Sequence, residues 1–214
     1  MYPKGNLLIP ASHGHLEAIL KEPAGEIKGA ALVCHPHPLG GGTMHNKVVY
    51  RAAAGLIDAG LAALRFNFRG VGASTGAHDD GDGERMDVLD ALDYLTKNYP
   101  PPLEITLAGF SFGSRVGTEV AMDETRVARL ISIGTPVDKY DFSFLKRVRK
   151  PILFIHGDSD EFGAVENLRP LVAQIAENTD AELIVFENCG HFFDNHLSEL
   201  RDAIKNWTLA QMQN

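Results

Sequence analysis

The sequence predicts one α/β domain in which helices cover both faces of a mainly parallel, twisted β-sheet. Short apolar runs rich in β-branched residues alternate with segments of helical period, which is the order expected of repeated βαβ units. The 214 residues are enough for one substantial core and few for two. The predicted domain therefore spans residues 1–214.

The elements can be predicted in order along the chain. Strands 6–10 and 15–20 are expected to form an antiparallel edge, because Pro and Gly punctuate both ends. Strands 30–34 and 62–68 flank a helix over about 47–59, which Gly60 ends. The other predicted strands are 104–108, 130–133, 151–155 and 182–186, and the other predicted helices are about 84–98, 112–122, 166–177 and 197–212.

The segment between the sixth and seventh predicted strands, residues 135–150, is short. Many enzymes with alternating strands and helices carry a large helical lid at this position. This chain has no room for one there. We therefore expect an open, shallow site.

Charge and composition restrict the partners and the compartment. The chain carries 20 Lys and Arg against 28 Asp and Glu, a net charge of −8, and no basic run, so a nucleic-acid partner is not expected. The chain start lacks a charged and apolar leader, and no apolar run is long enough to cross a bilayer, so we expect a cytoplasmic protein without a membrane partner. The sequence leaves the oligomeric state open, and a homodimer is compatible with it.

The two cysteines, Cys34 and Cys189, are too few for a disulfide framework and fit a reducing compartment. Buried lone thiols usually behave as small apolar side chains. A redox role for either thiol is left open.

A candidate nucleophile follows the predicted strand 104–108. The chain continues into Gly-Phe-Ser-Phe-Gly at 109–113 and then into a predicted helix, which is the context that a G-x-S-x-G nucleophile elbow requires. Ser111 must occupy a strained turn, and side chains at Gly109 and Gly113 would collide with neighbouring elements. The helix start also directs backbone N–H groups toward developing negative charge. Ser114 lies inside the predicted helix, without this context, and is interpreted as structural.

Polar side chains follow two later strands. Strand 151–155 leads into His-Gly-Asp-Ser-Asp at 156–160, and strand 182–186 is followed by Asn-Cys-Gly-His at 188–191. Ligands bind at the carboxyl edge of open α/β sheets, so these groups and Ser111 can converge there. The order Ser, Asp, His along the chain is that of α/β-hydrolases.

The second of these segments ends in the candidate general base, His191. Either Asp158 or Asp160 could orient its imidazole, because both closely follow the same strand end. Phe192 and Phe193 come next in the sequence and are expected to shield the base from water.

An oxyanion hole can be predicted from the loop after the third strand. Its first donor is the N–H of Phe112, directly after the nucleophile, and its second donor comes from a βα loop. Here that loop reads His-Pro-His-Pro-Leu-Gly-Gly-Gly-Thr at 35–43. Pro36 and Pro38 have no N–H, so the second donor must be His37 or a later residue.

Two groups of residues invite a metal-binding interpretation, which we reject. His35, His37 and His45 cluster in the sequence, but the carboxylate-rich patterns of hydrolytic metal sites are absent. The acidic segment 78–84 lacks the spacing of an EF-hand loop, and Asp82 is better explained as the N-cap of the next helix. We expect no metal and no cofactor.

Several short motifs carry a resemblance to a known family. They are His-Pro-His-Pro at 35–38, Gly-Gly-Thr-Met at 41–44, Asn-Lys-Val-Val at 46–49, Arg-Phe-Asn-Phe-Arg-Gly-Val-Gly at 65–72 and Gly-Phe-Ser-Phe-Gly at 109–113. On these motifs the chain resembles, over nearly its whole length, a bacterial family of small predicted α/β-superfamily hydrolases. That family is related more distantly to dienelactone hydrolases and small carboxylesterases.

The resemblance implies an α/β-hydrolase fold without a lid and esterase-like chemistry. The family pattern G-x-x-D implies that Asp160 is the triad acid and that Asp158 is a turn residue. Comparison with histidine-glycine-x oxyanion loops implies that His37 supplies the second N–H. The chain does not depart from the family at Ser111, Asp160 or His191, and the resemblance does not imply a natural substrate.

The predicted function is hydrolysis of carboxylic esters with small or short acyl groups, through an acyl-enzyme on Ser111. The expected partner is a small ester-like molecule. A thioesterase or peptidase with the same triad is an alternative, because acyl transfer does not reveal the leaving group. A catalytically silent binding scaffold is the alternative from a different class.

Overall fold

Eight strands form one sheet in the computed structural model, which describes residues 5–213. Positions 1–4 and 214 of the predicted domain lie outside the described residues, and so does most of the chain start on which the expectation about a leader rests. The strands are β1 Leu7–Ala11, β2 Gly14–Lys21, β3 Gly29–Cys34, β4 Leu61–Phe66, β5 Ile105–Phe110, β6 Val127–Ile133, β7 Ile152–Gly157 and β8 Ala181–Phe186.

The sheet has the strand order β1-β2-β4-β3-β5-β6-β7-β8. The pairs β1–β2 and β2–β4 are antiparallel, and all the other neighbouring pairs are parallel. The predicted antiparallel edge and the mainly parallel sheet are confirmed. In a parallel sheet the carboxyl ends of the strands meet at one edge, where the candidate catalytic residues follow β3, β5, β7 and β8.

Five α-helices of the described chain cover the sheet: α1 Lys47–Asp58, α2 Asp82–Asn98, α3 Phe112–Asp123, α4 Val165–Ala176 and α5 Leu197–Gln211. Side chains alternate across each strand, so the two faces bury different sets. Leu32 of β3 belongs to the core formed with α2, α3 and α4, whereas Val33 belongs to the core formed with α1 and α5. Covering both faces explains why β3 through β7 read as nearly continuous apolar runs.

Helix starts and ends follow local chemistry. Asn46 caps α1 by accepting the N–H of Val48 at 2.9 Å, and Gly60 follows the helix with φ 96°. The prediction of Asp82 as the cap of α2 is wrong. The cap is Gly81, whose φ of 104° suits glycine, and its N–H donates to the Glu84 side chain at 2.8 Å.

The predicted end of the fourth strand at residue 68 is also wrong. Strand β4 stops at Phe66, because the N–H of Phe68 leaves the ladder with β3. The N–H of Asn67 donates to the Glu17 carbonyl at 2.8 Å, and that of Phe68 donates to Nε2 of His35 at 3.0 Å.

Between β6 and β7 the chain forms only a 3₁₀ helix, Ser143–Arg147, which the sequence did not predict. It is five residues long, so the expectation of a fold without a large lid domain is confirmed. None of the helices within residues 5–213 combines the length and the apolar character needed to cross a membrane.

Candidate active site

Ser111 occupies the turn between β5 and α3 with φ 55° and ψ −119°, a backbone conformation that costs free energy for any residue with a side chain. Surrounding hydrogen bonds hold it there. Its N–H donates to the Ile133 carbonyl at 2.9 Å, and its carbonyl accepts the N–H and the hydroxyl of Ser114 at 2.9 and 2.7 Å. The two serines therefore differ in position, since Ser114 is buried and supports the turn.

The two glycines of the elbow are required by close packing. A Cβ at Gly109 would lie 2.3 Å from the carbonyl oxygen of Gly113. A Cβ at Gly113 would lie 2.5 Å from the carbonyl oxygens of Cys34 and His35, at the end of β3. Only glycine lets the helix start this close to both strands.

The side chains of Ser111, His191 and Asp160 form a hydrogen-bonded chain at the carboxyl edge of the sheet. Nε2 of His191 lies 2.9 Å from Oγ of Ser111, and Nδ1 lies 2.9 and 2.8 Å from the two carboxylate oxygens of Asp160. A carboxylate only accepts, so Nδ1 carries the ring proton and the lone pair on Nε2 faces the serine hydroxyl. His191 and Asp160 are only 3% and 6% exposed, so water has little access to these hydrogen bonds.

The structure places Asp160, and not Asp158, against the imidazole. The Asp158 carboxylate accepts the N–H groups of Asn188 and Cys189 at 2.9 and 3.1 Å. These hydrogen bonds hold the pKa of Asp158 below its usual range. Asp158 therefore ties the loop that carries His191 to the end of β7.

Several residues around the imidazole were not singled out in the sequence. The Phe162 ring lies 4.5 Å from the His191 ring, and the Glu161 carboxylate accepts the His191 N–H at 3.3 Å. A Cβ at Gly134 would lie 3.1 Å from Cε1 of His191, so glycine lets the ring approach β6. The position of Gly134 directly after a strand was the only sequence signal for any of them.

The two phenylalanines that were predicted to shield His191 from water take different positions. Phe192 packs edge-on against His191 at 5.3 Å between ring centroids and is 41% exposed. Phe193 is fully buried and instead packs against Phe110 and Phe186.

The loop after β3 brings His37 beside Phe112, with 4.7 Å between the two ring centroids. Phe112 is the first residue of α3, so its N–H has no partner within the helix. The His37 carbonyl accepts the N–H groups of Gly40 and Gly42 at 3.1 and 3.0 Å. A Cβ at Gly42 would lie 2.0 Å from the Pro36 carbonyl oxygen, so this tight loop needs glycine there.

The imidazole of His37 is also held in one protonation state. Its Nδ1 accepts the N–H of Leu39 at 3.2 Å, which leaves the ring proton on Nε2. Burial, followed by the nearby His78, lowers the pKa of His37, while Glu84 and Asp80 oppose this shift.

His35 has a structural position under the same loop. It is fully buried, with Nδ1 donating to the Pro36 carbonyl at 2.6 Å and Nε2 accepting the N–H of Phe68 at 3.0 Å. Burial lowers the pKa of His35 to about 3. Both ring nitrogens are thus used by the backbone, which leaves neither for a metal.

Among residues 5–213 no group of three or more His, Cys, Asp or Glu side chains is arranged to hold a metal ion. In the acidic segment 78–84, the Glu84 carboxylate accepts from Nδ1 of His78 at 2.9 Å and from the Asp79 N–H at 3.1 Å. Cys34 and Cys189 are free and buried. Burial raises the pKa of Cys34 above its usual range and that of Cys189 to about 11, so neither is a thiolate at neutral pH.

A cavity of about 160 Å³ opens over Ser111 and His191. Its other lining residues are Pro36, His37, Gly40, Gly41, Gly42, Asn46, Phe162 and Phe192. The loop after β3 therefore forms one wall and two phenylalanines form another. Of these, Asn46 and Phe162 were not predicted to belong to the site.

The sheet order, the strained serine turn and the histidine at the end of the last strand define an α/β-hydrolase. The model of a family described as an α/β hydrolase domain matches residues 30–213. The chain belongs to this family.

Relatives cover nearly the whole chain. A protein of Rickettsia prowazekii described as uncharacterized is 37% identical over 86% of this chain and 80% of its own length. The structure of an α/β serine hydrolase homologue from Coxiella burnetii is 38% identical, with a TM-score of 0.85 over 96% of this chain and 99% of that one. A serine hydrolase without a lid from Xanthomonas campestris is 32% identical, with a TM-score of 0.87 over 99% and 96% of the two chains.

Proposed function

We propose that the protein hydrolyses carboxylic esters of small or short-chain acids through an acyl-enzyme on Ser111. The observation that carries this proposal is the hydrogen-bonded chain from Asp160 through His191 to Ser111 at the floor of a cavity. A serine hydroxyl becomes an effective nucleophile when an oriented base can take its proton.

In the first half of the reaction, Nε2 of His191 takes the Ser111 proton as Oγ attacks the ester carbonyl carbon. The N–H groups of Phe112 and His37 stabilise the oxyanion that forms. The tetrahedral intermediate collapses, the bond to the alcohol oxygen breaks, and His191 returns its proton to the departing alkoxide.

In the second half, His191 takes a proton from water, and the hydroxide attacks the acyl carbon. Collapse of the second intermediate breaks the bond to Oγ and releases the carboxylic acid, while His191 reprotonates Ser111. Asp160 holds the ring through Nδ1 and stabilises the imidazolium.

The preference for a small acyl group is supported by the size of the cavity, about 160 Å³. Ligand pockets for drug-sized molecules are roughly 300–1,000 Å³. The Phe162 and Phe192 rings provide an apolar wall for a short chain, and the fold has no large lid that would enclose a long one.

The test is hydrolysis of p-nitrophenyl acetate, butyrate and decanoate, together with a butyryl thioester. We expect the acetate and butyrate esters to have the highest kcat/KM and Ser111→Ala to abolish turnover of both. The matched control is Ser198→Ala, because Ser198 is exposed on α5 and does not line the cavity over Ser111. Unchanged ester hydrolysis in Ser111→Ala would refute the proposal. A strong preference for the thioester would show that the natural leaving group is a thiol and not an alcohol.

A further inference from the structure

A second cavity, of about 180 Å³, lies between α1, α5 and the antiparallel edge of the sheet. The residues lining it with polar groups are Lys21, Tyr50, Asp58, Arg65 and Arg201. Of the residues that the structure describes, none lines both this cavity and the one over Ser111. We propose that the second cavity binds a small anion with a carboxylate or phosphate group attached to a short apolar body.

Two of the cations project into the cavity from neighbouring strands. In the antiparallel β2–β4 pair, Lys21 lies opposite Ala63 and Ile19 lies opposite Arg65. Alternate residues share a face, so Lys21 and Arg65 occupy diagonal positions on the same side of the sheet. Within the described part of the chain, neither forms an ion pair with a carboxylate.

Of the two cations, Arg65 gives the stronger evidence that a ligand binds here. It is only 6% exposed, its Nη1 donates to the Met44 carbonyl at 2.7 Å, and its guanidinium lies 5.3 Å from the centre of the Tyr50 ring. No residue in 5–213 accepts from its Nε or Nη2. Buried charges are normally paired, and burial here lowers the pKa of Arg65.

The free donors of Arg65 suit an oxyanion. Nε and Nη2 lie side by side on a planar group, which is the arrangement that binds two oxygens of a carboxylate or phosphate. The Lys21 ammonium supplies a second positive charge on the same face. Tyr50 also lines the cavity, and its side chain carries a hydroxyl that can donate.

Asp58, the only carboxylate among residues 5–213 that lines the cavity, is already neutralised. Asp58 accepts from Nε and Nη2 of Arg201 at 2.6 and 2.9 Å, and this contact lowers the pKa of Asp58. The Asp58–Arg201 pair is therefore close to neutral. Lys21 and Arg65 leave two positive charges without a counterion, in a chain whose net charge is −8.

The remaining wall is aliphatic, and it indicates what is attached to the charged group of the ligand. It consists of Ala53, Ala54 and Ile57 from α1 and Ala63 from β4. Small side chains there leave room beside the cations for a few carbon atoms, so a short aliphatic acid or a small phosphate ester fits better than a free inorganic ion.

The experiment titrates the intact protein with sodium butyrate, butyl phosphate and inorganic phosphate at constant ionic strength, by calorimetry and amide NMR. We expect saturable binding of butyrate or butyl phosphate, tighter than that of inorganic phosphate, with shifts at Tyr50, Ala63 and Arg65. Lys21→Met should weaken binding about tenfold, as expected for loss of a charged contact. Lys97→Met, which removes the charge of another exposed lysine, on α2, should leave it unchanged.

Butyrate binding alone would identify a carboxylate ligand, and butyl phosphate binding alone would identify a phosphate ester. The proposal is overturned if none of the three anions binds saturably at millimolar concentration, or if Lys21→Met binds like the wild type. Shifts confined to His37 and Phe112 would also overturn it, because the anion would then occupy the loop beside Ser111.

Discussion

The Asp158 carboxylate accepts the backbone N–H of Cys189 at 3.1 Å and thereby joins the loop before His191 to the end of β7. Asp160, two residues further along, accepts Nδ1–H of the same histidine at 2.8 Å. One aspartate thus positions the loop and the other orients the ring. Two neighbouring carboxylates fix the His191 imidazole by separate contacts, and these contacts can be broken separately.

Asp160→Asn should keep the fold and lose most of the activity. The amide has nearly the same shape, but it lacks the charge that stabilises imidazolium and can offer the wrong group to Nδ1. We expect kcat for p-nitrophenyl butyrate to fall about 10³–10⁴-fold with little change in KM. Steady-state kinetics check this, and circular dichroism checks the fold. A loss below tenfold would contradict the orienting role of Asp160.

Asp158→Ala should act through position rather than charge. Loss of the two backbone contacts frees the loop at Asn188 and Cys189, and we expect kcat to fall about ten- to a hundredfold, because small displacements of a catalytic group are costly. Ser159→Ala is the matched control, since its hydroxyl only donates to Asp158 at 2.9 Å. Equal kinetics for Asp158→Ala and the control would exclude this positioning role.

Much of the fold follows from the sequence, because strands covered on both faces leave apolar runs that differ clearly from amphipathic helices. The ends of elements depend on hydrogen bonds with distant partners. Strand β4 ends early through the bond from Phe68 to His35, a contact between residues 33 positions apart. Choosing between Asp158 and Asp160 needs the same kind of information, because both lie in one turn.

The residues that line the cavity over Ser111 could likewise be predicted from the sequence only in part. Phe162 has no motif of its own, and it reaches the site only because the turn after β7 passes beside His191. By contrast, Gly109 and Gly113 could be assigned in advance, because an elbow between a strand and a helix has little space wherever it occurs.

Gly109→Ala tests the packing of the elbow. The new methyl group would lie 2.3 Å from the Gly113 carbonyl oxygen, so the start of α3 must move. We expect a loss of about 1–3 kcal/mol in the free energy of unfolding, as for other overpacked sites, and a loss of activity. Gly25→Ala is the control, since a Cβ there has no neighbour within 4 Å. If both variants unfold at the same urea concentration, the close approach of Gly109 to Gly113 does not limit the stability of the fold.

His35→Gln tests the buried neutral imidazole under the loop after β3. At pH 7 we expect the variant to be less stable by about 1–3 kcal/mol, because the Pro36 carbonyl loses its donor. The pKa of His35 is about 3 in the folded chain and roughly 6.5 in an unfolded one. Between these values the unfolded wild type binds a proton that the folded form does not, so its stability falls as the pH falls.

The variant lacks this titration. The gap in unfolding free energy between wild type and His35→Gln should therefore narrow by about 1–2 kcal/mol from pH 7 to pH 5. Urea unfolding at both pH values measures it, and titrations common to the two proteins cancel. A gap that stays constant would show that His35 is not held neutral.

The central claim, an activated serine at Ser111, is tested most directly by a fluorophosphonate probe. The purified protein is treated with the probe, and the adduct is located by peptide mass spectrometry, with Asp160→Asn treated in parallel. We predict one adduct, on Ser111, that forms far more slowly in the variant. A folded protein without an adduct, or one modified at Ser114 instead, would contradict the account.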